Sequence, residues 1–176
     1  SDLDEAEATA SNRIKSFNSN GFTLGDSAYT NDADDPFTSW IWKANGGTTS
    51  TLTAGTINST VQTNTTSDFS IITYTGNGTD GANTAHGLSG AWDFVWIKNR
   101  GVADSWQCYH KFQQDNGQNT GASFDDDDAF ATCANTSGRP TRNSTNLINL
   151  NDCGDITSIN GNNETYVCYA FKEVQG

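Results

Sequence analysis

Four groups of residues in this 176-residue chain carry side chains able to do chemistry. The acidic run Asp125, Asp126, Asp127 and Asp128 offers successive carboxylates, the donors that a hard cation such as Ca2+ prefers. It lacks EF-hand spacing, with no glycine at the sixth position and no closing glutamate, so a solvated loop is the plainer reading. Asp32, Asp34 and Asp35 make a weaker cluster of the same kind. Trp106, Tyr109 and His110 are the candidates for stacking on a sugar, with Asn99 and Asp104 as hydrogen-bonding neighbours. Against this stands their alternation, which is that of core residues. His86 and His110 are the two histidines, and neither lies near a nucleophile elbow of the G-x-S-x-G kind. His86 is expected to fix its turn by bonding to backbone. Carboxylates are too plentiful for composition to single out a hydrolytic pair. The expectation is a protein that is not an enzyme. The four cysteines, Cys108, Cys133, Cys153 and Cys168, show neither C-x-x-C nor the Cys/His spacing of a zinc site. Asn58, Asn64, Asn77, Asn135, Asn143 and Asn163 satisfy N-x-[ST], but a chain so rich in Asn and Thr generates such matches by composition.

Composition narrows the classes further. A net charge of −12, from 21 acids against nine bases, argues against nucleic acid as a partner, since phosphates call for a basic surface. No stretch is apolar for long enough to cross a membrane, and no basic segment leads into an apolar one as in a signal peptide. Only 34% of residues are hydrophobic, yet five Trp, nine Phe and five Tyr concentrate burial into a few large side chains. The absence of Met, even at position 1, suggests a processed chain or an excerpt.

The elements that must position these groups read as short strands. Phe22–Leu24, Thr38–Lys43, Phe69–Tyr74, Trp92–Lys98, Trp106–Phe112, Ala129–Cys133, Leu147–Leu150, Ile156–Ile159 and Thr165–Glu173 are rich in β-branched and aromatic residues, and Gly, Asn and Asp turns separate them. A helical turn near Asp4–Arg13 is the one exception. This pattern predicts an all-β fold, an antiparallel β-sandwich of jelly-roll-like form. In the stretch from Asp68 to Arg100, Trp92, Phe94 and Trp96 fall on one face and Val95 and Ile97 on the other, as in a strand covered on both sides. Trp40, Trp42, Phe94, Trp96, Trp106, Tyr169 and Phe171 are the rings expected to hold the core.

The two ends of the chain resemble each other in three blocks. Residues 4–10 match 127–133, 22–26 match 148–152, and Phe37-Thr38-Ser39-Trp40-Ile41-Trp42-Lys43 matches Tyr166-Val167-Cys168-Tyr169-Ala170-Phe171-Lys172. This divides the chain into a partial repeat at 1–46, a Gly/Thr/Ser linker at 47–55, and a β-sandwich domain at 56–176. A partial repeat cannot bury its own apolar face, so an upstream unit, a neighbouring chain or the sandwich itself must complete it. Cys133 and Cys153 align with Ala10 and Ser27, so both appear together in the second unit. A disulfide between them would contribute about 3 kcal/mol in the loop-entropy picture. Cys108 and Cys168 form a second candidate pair if their strands are neighbours.

The motifs YTGNGT, AHGL, DFVWIKNR, SWQCYH and ETYVCYAFKEV, taken together, resemble a repeated domain of unknown function in virion structural proteins of marine bacteriophages, often tail-fibre-like. The resemblance spans about residues 8–43 and 69–176. It implies a structural module of a virion appendage, working outside the cell by assembly and contact. Its partners would be copies of itself, other virion proteins, or host surface polysaccharide. A capsid decoration protein, a self-polymerising filament that exchanges strands, and a glycan-binding adhesin are the alternatives.

Overall fold

The last strand of the chain lies in the middle of its largest sheet. The computed structural model describes residues 5–112, 120–123, 131–132, 141–142, 145–151 and 155–174. Residues 7–42 form one unit and residues from 43 onward belong to the other.

In the first unit, strands β1 (Ile14–Asn18) and β2 (Gly21–Leu24) make an antiparallel hairpin, followed by a helical turn, α1 (Ala28–Asn31). Phe17 faces Phe22 across the hairpin, and Phe17 is 78% exposed. A lone two-stranded hairpin is marginal in water, and Phe17 finds little burial in it while Phe22 is half-buried.

The second unit begins as a meander of three strands, β3 (Ser50–Leu52), β4 (Ser59–Asn64) and β5 (Phe69–Thr75). Strand β6 (Ala82–Ala85) leaves that sheet. Strands β7 (Phe94–Asn99), β8 (Gln107–His110), β9 (Thr120–Ser123) and β10 (Ala131–Thr132) then build a second meander. Strands β11 (Thr141–Arg142) and β12 (Leu147–Leu150) pair with β6 in a three-stranded sheet, after which a helical turn, α2 (Thr157–Asn160), leads to β13 (Thr165–Phe171). Strand β13 joins the two meanders, pairing along its length with β5 on one side and with β7 on the other. The large sheet therefore runs β10-β9-β8-β7-β13-β5-β4-β3, antiparallel throughout. The fold is all-β, a two-layered sandwich of antiparallel sheets. No described helix is long and apolar enough to cross a membrane.

Alternation fixes what each face carries. Val61, Ile72, Tyr74, Val95, Ile97, Tyr109, Tyr166, Cys168 and Ala170 point to the inner face of the large sheet. There they meet Ala82, Ile148 and Leu150 of the small sheet and Ile57, Leu88, Trp92 and Ile159 from connections. Tyr74 and Tyr166, opposite each other in the register, stack with centroids 5.1 Å apart.

Several expectations are corrected. Trp92 does not share a face with Phe94 and Trp96: it precedes the strand and is fully buried with the inner-face residues. The rings expected to hold the core are not its members. Trp40 is 75% exposed and Trp42 48%, while Phe94, Trp96, Trp106, Tyr169 and Phe171 are half-buried on the outer side. Residues 38–43 carry no strand, Ile156–Ile159 is largely the helical turn α2, and the supposed linker contains β3. No helix is present in the described part of Asp4–Arg13. Cys108 and Cys168 are both buried free thiols. Strand β7 separates their strands, and Cys108 lies opposite Trp96 while Cys168 lies opposite Ile97, so they occupy opposite faces. Two strand spacings of about 4.8 Å, on opposite faces, exceed what a disulfide spans. Cys133, Cys153 and Asp125–Asp128 lie outside the described residues.

Candidate interaction surface

The outer face of the large sheet carries the residues that alternate with the core: Phe69 and Ile71 on β5, Val167, Tyr169 and Phe171 on β13, Phe94 and Trp96 on β7, and Cys108 and His110 on β8. Register brings four of the rings together. Phe171 sits opposite both Phe69 and Phe94, with centroids 4.9 and 5.8 Å away. Trp96 meets Phe94 at 5.2 Å and Phe171 at 5.7 Å, both edge-on. Edge-to-face contact suits the ring quadrupoles. Trp106 extends the tract by stacking on Tyr169 at 6.3 Å, and His110 by stacking on Phe112 at 5.3 Å. Burial pushes the Cys108 thiol up to about 11, against the pull of its hydrogen bond with Trp96. That thiol is a packing group at neutral pH, not a nucleophile.

Charges edge the tract where β7 and β8 meet the end of β13. Asp93 Oδ2 accepts from the Glu173 amide at 2.7 Å, and its Oδ1 accepts from Arg142 at 2.9 Å with Lys111 Nζ 3.6 Å away. Burial alone would raise the Asp93 carboxyl, but the Glu173 amide and the Lys111 and Arg142 cations outweigh it and hold it below the usual range. Lys111 also meets Glu173, whose hydrogen bond is the main cause of its raised pKa. The cluster joins the entry to β7, the exit of β8, β11 and the chain after β13.

The sugar-stacking set is split by the fold. Trp106 and His110 are on the outer face, half-buried. Tyr109, one residue out of phase with them, points into the core, and its hydroxyl bonds Gln107 Oε1 at 3.3 Å. Asn99 is fully buried on the inner side: its Nδ2 donates to Glu164 Oε2 at 2.6 Å, and its Oδ1 accepts from the amides of Gly101 and Val102. Asp104 accepts from the Ser105 amide and from Ser158, while burial raises its carboxyl. Among the described residues no group of three or more His, Cys, Asp or Glu side chains could hold a metal ion, and that includes Asp32, Asp34 and Asp35.

Sequence reasoning missed the clamp at the other end of the inner face. Asn160, fully buried at the end of α2, donates from Nδ2 to Asn77 Oδ1 at 3.1 Å and to the Thr79 carbonyl at 3.0 Å. Its Oδ1 accepts from the Asn77 amide at 2.9 Å. Gly76 lies so close to this turn that a Cβ there would sit 2.3 Å from the Gly161 carbonyl oxygen. Tyr166 OH adds to the clamp by donating to the Thr157 carbonyl, and it accepts from the Gly161 amide at 2.7 Å. The available signal was the pairing of two Gly/Asn turns, GNGT and NGNNE, at the ends of β5 and β13. His86 behaves as expected: fully buried, it accepts from the Leu88 amide through Nδ1 at 3.2 Å. Gly87 completes that turn at φ +79°, where a Cβ would also strike Thr63.

A family model matches residues 1–176, the whole chain. The chain belongs to the DUF7483 family, a domain of unknown function. No curated protein and no solved structure matches it. For this DUF7483 domain, the site-bearing features are therefore those of its own structure: an aromatic outer face edged by charge, and an N-terminal unit whose apolar side chains are exposed.

Proposed function

We propose that this DUF7483 domain is a structural module of a bacteriophage virion appendage, a tail fibre or a similar part, acting by assembly and surface contact. The observation that carries the reading is the pairing of a closed sandwich with an N-terminal unit that leaves Phe17, Trp40 and Ile41 mostly exposed. Exposed apolar surface of that extent marks contact with another molecule. The resemblance of the motif set to phage virion proteins supports a setting at the virion surface, outside the cell. Its partners are other copies or other virion proteins. Immunogold electron microscopy of purified particles tests this reading. Label on the appendages supports it, label on the capsid shell favours the decoration alternative, and unlabelled particles overturn both.

Trp106 favours a second reading, as a glycan-binding adhesin. Half-buried at the end of the aromatic tract, its ring is placed as a sugar platform would be. On an array of host polysaccharides, binding that disappears in Trp106→Ala supports this reading, and an array with no signal removes it.

A further inference from the structure

The N-terminal unit repeats, in the same order and with shorter connections, the element that closes the sandwich. In β1–β2, Phe17 faces Phe22 and Ser16 faces Thr23; in β11–β12, Arg142 faces Ile148 and Thr141 faces Asn149. Both hairpins lead to a four-residue helical turn ending in asparagine, Asn31 in α1 and Asn160 in α2. The turns share their backbone bonds: Thr30 and Asn31 donate to the Ser27 carbonyl, and Ile159 and Asn160 donate to the Ile156 carbonyl. The residues that follow are alike too, Asp32 at φ −81°, ψ 148° and Gly161 at φ −59°, ψ 145°. Three residues past each asparagine comes a side-chain-bearing residue in the left-handed region, Asp34 at φ 70° and Asn163 at φ 63°. Non-glycine residues adopt that conformation rarely, so its recurrence at the same step is a specific match. Three residues further on, Tyr166 opens the part of β13 that is paired on both sides, and its counterpart is Phe37.

From Tyr166 to Phe171 the chain pairs on both sides. Residues 37–42, with aromatic rings at the same three steps (Phe37, Trp40 and Trp42 for Tyr166, Tyr169 and Phe171), carry no strand. By this correspondence Ser39 and Ile41 stand where Cys168 and Ala170 face the core, and Trp40 and Trp42 where Tyr169 and Phe171 face outward. Seven of the exposed large apolar side chains fall between Ile14 and Trp42. At 150–250 Å² for a large ring, they present on the order of 1,000 Å². That is comparable with the roughly 800 Å² per partner of a standard stable interface.

We infer that residues 37–43 are a donated closing strand. The partner is a second chain of this same fold in which the place between its β5 and β7 is open, so that the strand enters where β13 otherwise lies. Asn31 would then give up the bond its Nδ2 donates to the Gly25 carbonyl and grip the partner's turn at Asn77 and Thr79, as Asn160 does within its own unit. The inference rests on the reading of this domain as an assembly module and names the contact through which it assembles.

The test uses the full chain with the double substitution Cys168→Asp and Ala170→Asp, which bars β13 from its own slot. The expected result is β-rich, head-to-tail oligomers by light scattering, in which hydrogen exchange at residues 38–43 slows about tenfold or more relative to the wild type. Wild-type chain added during refolding donates a strand without accepting one, and shortens the oligomers; wild type carrying Ile41→Asp does not. An unfolded double variant, oligomers indifferent to Ile41→Asp, or a folded monomer closed by its own residues 37–43 each overturns the inference. Immunogold labelling reads the broader proposal separately. Labelled appendages together with a failed refolding leave the module standing without the donated strand, whereas unlabelled particles remove the module whatever the variants do.

Discussion

At the scale of single residues, two side chains decide the most. Trp92 is fully buried among Val95, Ile97 and Leu88, so Trp92→Ala should cost about 3–5 kcal/mol in denaturant unfolding. Trp96→Ala, on the half-buried outer face, should cost distinctly less; equal losses would show that the outer face is covered as thoroughly as the inner. His86 sets the acid limit. Burial, opposed by the Thr145 backbone and reinforced by Lys172, lowers its pKa to about 4, against 6.5 in the unfolded chain. A base with a lowered folded pKa binds its proton more readily when unfolded. Its contribution is therefore complete above pH 6.5 and is lost as the pH falls toward 4, up to about 3 kcal/mol. The Asp93 carboxyl, held low, loses its contribution only below this window, and the raised Asp104 carboxyl works in the opposite sense. Urea unfolding at pH 7 and pH 4.5 checks this, with His86→Gln expected to flatten the difference.

At the scale of elements, the α2 turn is the joint between the small sheet and β13. Asn160→Ala strips the Asn77 amide, the Asn77 side chain and the Thr79 carbonyl of their buried partner at a partly buried turn. The expected loss is about 1–3 kcal/mol, with exchange at Asn77 and Gly78 accelerating before the rest of the sheet. Elements were legible in the sequence to different degrees, and for physical reasons. Strands β5, β12 and β13 stood out because β-branched and aromatic residues run between clear turns. Ile156–Ile159 reads as a strand in the sequence because Ile, Thr and Ser over four residues fit a strand or a helical turn equally well, and only the clamp by Asn160 decides. Strand β6, Ala82–Ala85, has only Thr84 to announce a strand; partners on β12 and the bridge from Ile57 make it one. Alternation told which rings share a face in β7 and β13, but not which face the second sheet would cover. That is why Phe94 and Trp96 were assigned to the core that Val95 and Ile97 occupy. The candidate site was legible as residue types at Trp106 and His110 and misleading at Tyr109, which alternation alone turns inward.

At the scale of the whole molecule, charge and connectivity set the behaviour. With 21 acids against nine bases, the folded chain repels itself, and salt should relieve that repulsion more in the compact state than in the open one. The melting temperature is expected to rise between 20 mM and 500 mM NaCl at pH 7, followed by circular dichroism; a fall would show that ion pairs such as Arg142–Asp93 outweigh the net charge. Connectivity has a further effect. Because β13 supplies the middle rail to which both β5 and β7 are fastened, a ribosome that has released the chain up to Glu164 leaves the large sheet as two separate meanders with a gap between them. That gap closes only when β13 emerges, so the large sheet forms late and in one step.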